Sequence, residues 1–125
     1  MTLGEIKYHV MFQTNNDPDD IGDFEPFIVD YINEGYDMLI DAWKESHTDY
    51  NDEEHPRLCE DTEVPVTPEW THRYLADWAT WLIYRNGNPQ KQQRGYAFRE
   101  SFAGMIATVR GEKGGRLKNF FNIPR

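Results

Sequence analysis

Two helix-patterned segments joined by only four residues limit the folds open to this chain. Before the junction, apolar side chains recur at the spacing of a core-facing helix at Trp70, Tyr74, Leu75, Trp78, Trp81 and Leu82. After it, the same spacing continues at Tyr96, Phe98, Phe102, Met105, Ile106 and Val109. Asn86-Gly87 is typical of a helix end and Asn88-Pro89 of a helix start. The sequence therefore predicts a tight antiparallel helical hairpin.

The N-terminal residues indicate a further helix. Thr2 and Glu5 have the spacing of a capping box, in which each side chain bonds to the backbone amide of the other residue. Apolar residues follow on one helical face, which predicts a helix over about residues 3–13. Residues 14–23 are rich in Asn, Asp, Pro and Gly, and they are predicted to form a loop.

A second helix is predicted to begin near Pro26, because proline fits the first turn and Asp23 or Glu25 can act as the cap. Its apolar pattern continues to about residue 46. Further along, Thr67-Pro68-Glu69 is interpreted as the cap, first-turn proline and early acid of the third helix.

These elements suggest a single domain without a sheet. No strand alternation or internal repeat is found, and 125 residues suit one domain with its own core. Residues 47–66 read as a long acidic surface loop. We predict an all-α, four-helix domain over residues 1–115 and a flexible basic C-terminal tail over residues 116–125.

The charge of the chain is divided along its length. The net charge is −9, yet residues 17–63 hold 17 acids and two bases, whereas residues 64–125 hold four acids and ten bases. Such a division suits head-to-tail contact between copies, since the acidic face of one subunit can meet the basic face of the next. The alternative is that the two halves neutralise each other within one monomer.

The sequence also argues against several classes of protein. Cys59 alone cannot form an intramolecular disulfide, and no apolar run approaches the roughly 18 residues of a transmembrane span, so we expect the protein to be cytoplasmic or to be assembled in the cytoplasm. Glu60, Asp61 and Glu63 disfavour a thiolate at Cys59, so it is not predicted to be a nucleophile. No glycine-rich phosphate-binding motif occurs, and no cofactor is predicted.

Two metal-binding patterns are incomplete. Residues 17–22 resemble the start of a calcium loop, but Ile21 occupies a ligand position and Ile28 the position of the bidentate glutamate. Four possible zinc ligands match no known spacing: His47, His55, Cys59 and His72. We predict neither metal.

The second predicted helix carries a row of five carboxylates, called the acid stripe below: Asp30, Glu34, Asp37, Asp41 and Glu45. At 100° per residue they lie within about 80° of arc, opposite the main apolar face. Carboxylate metal sites in helical bundles face inward and usually add a Glu-x-x-His motif, which is absent here. We interpret the stripe as facing solvent or a partner, with a metal or catalytic site as the alternative.

Apolar residues cover most of the remaining surface of this helix. Tyr31 and Met38 lie on one flank of the stripe, and Tyr36 and Ile40 lie on the other. One small bundle can hardly bury them all. Either the other helices wrap this helix on three sides, or some of these residues contact a neighbouring subunit, which is the interpretation we favour.

The C-terminal residues combine bases with apolar side chains. Bases that could contact phosphate are Arg110, Lys113, Arg116 and Lys118, and Phe120 and Phe121 could stack on a nucleic-acid base. Because nucleic acid repels an acidic protein, we favour a tail that places Phe120, Phe121 and Ile123 into the groove of a protein partner.

The clearest likeness to known proteins lies in three segments: TLGEI at 2–6, YINEGYDMLIDAW at 31–43 and WTHRYLADWATWLIYRNGNPQKQQRGYAFRESF at 70–102. Their combination resembles the head–tail connector (adaptor) proteins of tailed bacteriophages. None of the three is a catalytic signature. Many members of that family have strand-forming residues where this chain has residues 47–66.

The resemblance implies a non-enzymatic structural protein of the virion, made in the host cytoplasm and located at the head–tail junction. It implies a homo-oligomeric ring, typically of twelve copies, that links the portal protein to a tail or stopper protein while DNA passes through without specific binding. The portal-docking residues would be Leu117, Phe120, Phe121, Ile123 and Arg125. The subunit contacts would include Tyr31, Tyr36, Met38 and Ile40. The residues that line the lumen or face a partner would be Asp30, Glu34, Asp37 and Asp41.

Two other functions stay open on the sequence alone. A small nucleic-acid-binding or DNA-packaging factor predicts salt-sensitive DNA binding through Arg116 and Lys118. A carboxylate-metal helical enzyme predicts a bound metal and a loss of fold or activity on Asp37→Asn.

Overall fold

The computed structural model describes residues 1–14, 18–47 and 57–111, and over 18–25 it describes the backbone alone. Four α-helices follow in chain order: α1 (Leu3–Thr14), α2 (Pro18–Ser46), α3 (Glu69–Arg85) and α4 (Pro89–Gly111). The described residues contain no strand, so the predicted all-α, four-helix fold is confirmed. None of the described helices combines the length and the apolar character needed to cross a membrane.

α3 and α4 form the predicted antiparallel hairpin. α3 ends at Arg85, with Asn86 as its C-cap residue. Asn88 Oδ1 accepts a hydrogen bond from the Lys91 amide at 2.9 Å, which caps the start of α4. Further from the turn, Ser101 Oγ donates to Asp77 Oδ2 at 2.8 Å. This contact fixes the register of the two helices well away from the turn.

Gly95 lets the two helices of the hairpin approach closely. A Cβ atom at this position would lie 2.7 Å from Trp81 Cε3 and 2.9 Å from Tyr84 Cβ. The next residue, Tyr96, stacks on Trp81 with ring centroids 5.3 Å apart, yet its side chain is 44% exposed. Tyr96 was predicted to line the buried face of α4, and it instead covers Trp81 from outside.

α1 begins with the predicted capping box. The Glu5 amide donates to Thr2 Oγ1 at 3.1 Å, and the Thr2 amide donates to Glu5 Oε1 at 2.8 Å. The helix ends at Thr14, one residue beyond the predicted end. Its apolar face is fully buried at Leu3, Ile6 and Val10.

α1 lies parallel to α3. The Met1 amino group bonds to Glu69 at the start of α3 at 2.8 Å, and Tyr84 Oη near the end of α3 donates to the Thr14 carbonyl at 3.2 Å. Because α4 runs antiparallel to α3, the start of α1 and the end of α4 lie at the same end of the bundle. α2 also ends there, since Ser46 donates to the carbonyl of a residue in the last turn of α4 at 2.8 Å.

The predicted start of α2 was wrong. The helix begins at Pro18 and includes Pro26 in its interior, so most of the predicted loop 14–23 is helical. Pro18 and Pro26 both fit the first position of a helix, and Pro18, the more N-terminal of the two, starts α2. Pro26 has no N–H to donate within the helix, and this lost bond did not prevent the extension.

The predicted cap of α3 was displaced by one residue. Pro68 is the N-cap and makes no side-chain capping bond, and the helix begins at Glu69. Thr67 is buried, and its hydroxyl bonds to the Thr71 hydroxyl at 2.9 Å. Thr67 is therefore a packed core contact and not the helix cap.

The core lies where the apolar faces of the four helices meet. Fully buried side chains from three of them include Ile6, Ile32, Leu39, Leu75 and Leu82. Trp81 is 8% exposed, in agreement with its predicted core position, whereas Trp70 is 41% exposed. The helical spacing assigned Trp70 to the core, but it lies in the first turn of α3, where its ring makes an edge contact with Tyr74.

Candidate functional site

The acid stripe lies on the outer surface of α2, as predicted, and all five carboxylates are exposed. Arg57 forms an ion pair with Asp30 at one end, and Arg110 Nε donates to Glu45 Oε2 at 2.9 Å at the other. A charged outer face is usual for a surface helix, and exposed ion pairs contribute little to stability, so the core does not depend on these five carboxylates. The stripe is a candidate functional surface.

One flank of the stripe belongs to the core of the chain itself. Tyr36 is 0% and Ile40 is 1% exposed, and the Tyr36 hydroxyl accepts a bond from the Val66 amide at 2.9 Å. The prediction that these two residues contact a neighbouring subunit is therefore corrected, because the fold already encloses them. Tyr31 and Met38 are half-buried and keep exposed surface.

No group of three or more His, Cys, Asp or Glu side chains is placed to hold a metal within the described part of the chain. Of the possible zinc ligands, Cys59 is exposed, whereas His72 is buried with both ring nitrogens in use. His72 Nε2 bonds to the Thr67 carbonyl at 2.7 Å and Nδ1 to the Met1 amino group at 2.9 Å. Outside the described side chains lie His55 and the calcium-like segment 17–22.

Burial lowers the pKa of His72. Its contacts agree with a neutral ring that carries its proton on Nε2, because the carbonyl needs a donor and the amino group needs an acceptor. His72 therefore acts as a buried link between the start of α1 and α3, and not as a free ligand.

Residues 57–66 form most of the described part of the predicted acidic loop 47–66. They are called the connector below, a name for this segment alone and not for the phage protein family. Asn33 of α2 clamps this segment: its Nδ2 donates to the Leu58 carbonyl and its Oδ1 accepts from the Leu58 amide, both at 2.9 Å. Asn33 is 3% and Leu58 is 2% exposed. The connector is anchored to the core, in contrast to the simple surface loop that its composition predicted.

The connector also caps the start of α1. The Leu3 amide donates to the Glu63 carbonyl at 2.8 Å, and the Gly4 amide donates to the Asp61 carbonyl at 3.0 Å. Lys7 Nζ adds an ion pair with Asp61 at 3.0 Å. Two of the amides that a helix start leaves without intrahelical partners are thereby satisfied.

A tight turn holds the connector in shape. Glu63 Oε1 accepts bonds from the Glu60 amide at 2.6 Å and the Cys59 amide at 2.7 Å, and these bonds lower the pKa of Glu63. Sequence reasoning missed the connector contacts because most are made by backbone groups, which carry no residue signature.

A buried polar cluster joins α1, α3 and α4. Asp77 is 8% exposed, and it accepts bonds from Gln13 Nε2 at 2.6 Å and Ser101 Oγ at 2.8 Å. Thr80 Oγ1 donates to Gln13 Oε1 at 2.7 Å. Burial raises the pKa of Asp77. Sequence analysis did not single out this residue, because one carboxylate within a helix resembles an ordinary surface charge.

Two aromatic side chains of α1 project into solvent. Tyr8 is 72% and Phe12 is 77% exposed, the largest values among the large apolar side chains in the described part of the chain. They are four residues apart and therefore lie on the same face of the helix. The sequence analysis did not identify them, and their position opposite Leu3, Ile6 and Val10 was the available signal.

The predicted portal-docking residues Leu117, Phe120, Phe121, Ile123 and Arg125 lie outside the described residues. Comparison of the chain with family models, with curated proteins and with solved structures found no match.

Proposed function

We propose that this chain is a structural, non-enzymatic head–tail connector protein that assembles as a ring beneath the portal of a tailed bacteriophage. The observation that carries the proposal is the acid stripe, which is aligned along a helix of a packed domain and is not needed for its core. The likeness of residues 2–6, 31–43 and 70–102 to the connector family supplies the context.

The charge arrangement suits a ring of identical copies. In such a ring the acid stripe faces either the channel, where it repels DNA phosphates, or the next subunit. The hairpin carries exposed bases that can meet the stripe of the next copy: Arg73, Arg85, Lys91, Arg94 and Arg99. A contact between two different surfaces of one chain closes into a ring when the rotation between copies permits it.

The first test is assembly with the portal protein of a tailed bacteriophage. Mass photometry of the full chain mixed with portal rings is expected to show one discrete complex that contains many copies of the chain. The chain alone can remain monomeric, because a portal ring can template the assembly. Absence of any complex with the portal would overturn the proposal, and salt-sensitive DNA binding by the free chain would favour a DNA-packaging factor instead.

A second measurement assigns the role of the stripe. The variant Glu34→Gln/Asp41→Asn neutralises two exposed stripe residues, and Glu100→Gln on α4 is the matched control. A stripe that faces the next subunit predicts loss of assembly in the double variant alone. A stripe that faces the channel predicts normal rings that retain DNA more strongly, because fewer charges repel the phosphates. An unchanged assembly with unchanged DNA retention would remove the stripe from the proposed mechanism.

A further inference from the structure

The outer face of α1 presents a small aromatic surface that nothing in the described fold covers. It consists of Tyr8 and Phe12, with Glu5 one turn before Tyr8 on the same side of the helix. Aromatic pairs exposed to this extent cost solvation free energy and commonly mark contact sites. We therefore expect another segment or molecule to bind to this surface.

The fold holds this face outward. Leu3, Ile6 and Val10 anchor the opposite side of α1 in the core with 0% exposure. At the far end, Gln13 bonds to Asp77 at 2.6 Å, and at the near end the connector caps the helix. Rotation that would bury Tyr8 and Phe12 would break these bonds, so the aromatic face is preformed for a partner.

The surroundings of the surface are acidic near the start of α1. Glu5 lies on the helix, and the adjoining connector adds Glu60, Asp61 and Glu63. Among these carboxylates, Asp61 pairs with Lys7 at 3.0 Å. A suitable partner combines aromatic side chains with positive charge.

The last residues of the same chain have this composition. Residues 112–125 contain four bases and one acid, together with Phe120 and Phe121. Gly111 ends α4 at the end of the bundle where α1 begins. The nine residues from Gly111 to Phe120 can span up to about 30 Å. Tyr8 and Phe12 lie only about 8 and 14 Å along α1 from its first residue.

We propose that the C-terminal segment of the chain docks on α1 of the same chain, with Phe120 and Phe121 packed against Tyr8 and Phe12. Arg116 and Lys118 then lie toward the acids at the start of α1. This contact keeps the apolar tail covered in the free protein, and a competing partner has to displace it. The inference does not rest on the proposed connector function, because it concerns the isolated chain.

Hydrogen exchange measured by mass spectrometry on the full chain tests the contact. With the millimolar effective concentration that a short tether gives, a contact with a Kd of about 0.1 mM is occupied about nine-tenths of the time. Amides of residues 116–123 should then exchange about tenfold more slowly than those of an unstructured peptide. The variant Tyr8→Ser/Phe12→Ser should abolish this protection, and added salt should weaken it. Both substitutions are at exposed positions, so the thermal unfolding temperature should be nearly unchanged.

Phe27→Ser is the matched control, because Phe27 is 51% exposed on a different helix. It should leave the protection of the tail intact. Unprotected tail amides in the native chain, or protection that survives Tyr8→Ser/Phe12→Ser, would overturn the proposal. Protection that grows with protein concentration would overturn it as well, because the tail would then occupy α1 of a second copy.

Discussion

Asp77 is the residue where burial and charge are most directly opposed. Its carboxylate accepts two hydrogen bonds, but burial outweighs them and raises its pKa. The folded state therefore binds a proton more tightly than the unfolded state. Between the ordinary and the raised pKa, stability falls as pH rises, because ionisation of Asp77 is easier in the unfolded chain.

Asp77→Asn removes this ionisation and keeps a side chain of the same shape. We expect the free energy of unfolding of the variant to rise relative to the native chain as pH increases through that window. Chemical denaturation of both proteins at several pH values measures the difference. Glu100→Gln, at an exposed position on α4, is the control and should give no such trend. Parallel stability curves for Asp77→Asn and the native chain would contradict the assignment.

The burial of a core residue was predictable where it depends only on the side of the helix on which the residue lies. Leu75 and Leu82 follow the helical period and are fully buried. The period could not place Trp70, because burial in the first turn of a helix depends on which neighbours extend that far. It could not reveal Asp77 either, since only the tertiary contacts of Gln13 and Ser101 distinguish it from a surface acid.

α4 contains two glycines that should respond oppositely to the same substitution. A Cβ atom at Gly95 would lie 2.7 Å from Trp81, whereas at Gly104 no atom lies within 4 Å. Alanine favours the helix over glycine by about 1 kcal/mol. At Gly104 this gain is unopposed, so Gly104→Ala should stabilise the protein by up to about 1 kcal/mol.

At Gly95 the gain is overcome by collision with α3. Gly95→Ala should destabilise the protein by about 1–3 kcal/mol, because Trp81 and the Tyr84 Cβ have to move. Urea denaturation of the two variants beside the native chain measures both effects. Equal changes of the same sign would show that helix propensity alone governs these positions.

The helix boundaries show what local signals can decide. The starts of α1 and α4 were predictable, because a side chain caps each within a few residues. The start of α2 was not, since Pro18 and Pro26 both satisfy the rule for a first-turn proline. The choice between them depends on how much stability the additional helical turns contribute. The local sequence does not determine this quantity.

The connector ties parts of the chain that are distant in sequence. Asn33 bonds to Leu58, and the same segment then caps the first amides of α1. This path links α2, the connector and α1 without using the hairpin. Loss of the Asn33 bonds should therefore open the connector and the start of α1 before the hairpin.

Asn33→Asp tests this linkage with a nearly isosteric change. The variant cannot donate to the Leu58 carbonyl and places a charge at a 3% exposed position, so it should lose at least about 2 kcal/mol of stability. Hydrogen exchange should rise first in residues 57–66 and at the start of α1, while the α3/α4 hairpin stays protected. Asn88→Asp is the matched control, because Asn88 is exposed and its Oδ1 only accepts from the Lys91 amide, which an aspartate at a helix start does equally well. A uniform rise across the chain would indicate global unfolding and contradict the proposed order.

The candidate site was predictable only in part. The outward direction of the acid stripe follows from helical periodicity, because five carboxylates share one narrow arc. The burial of Tyr36 and Ile40 did not follow, since it depends on how many neighbours pack around α2. The exposure of Tyr8 and Phe12 likewise depends on the position of α1 in the finished bundle.

The connector also carries the one cysteine of the sequence, and Cys59 is exposed. Its backbone amide is held by Glu63, so the thiol projects from an anchored segment close to the start of α1. A spin label or fluorophore attached there marks a single defined point, with no other thiol to remove. In an assembly of identical copies, distances between such labels would report the diameter and the copy number directly from the native sequence.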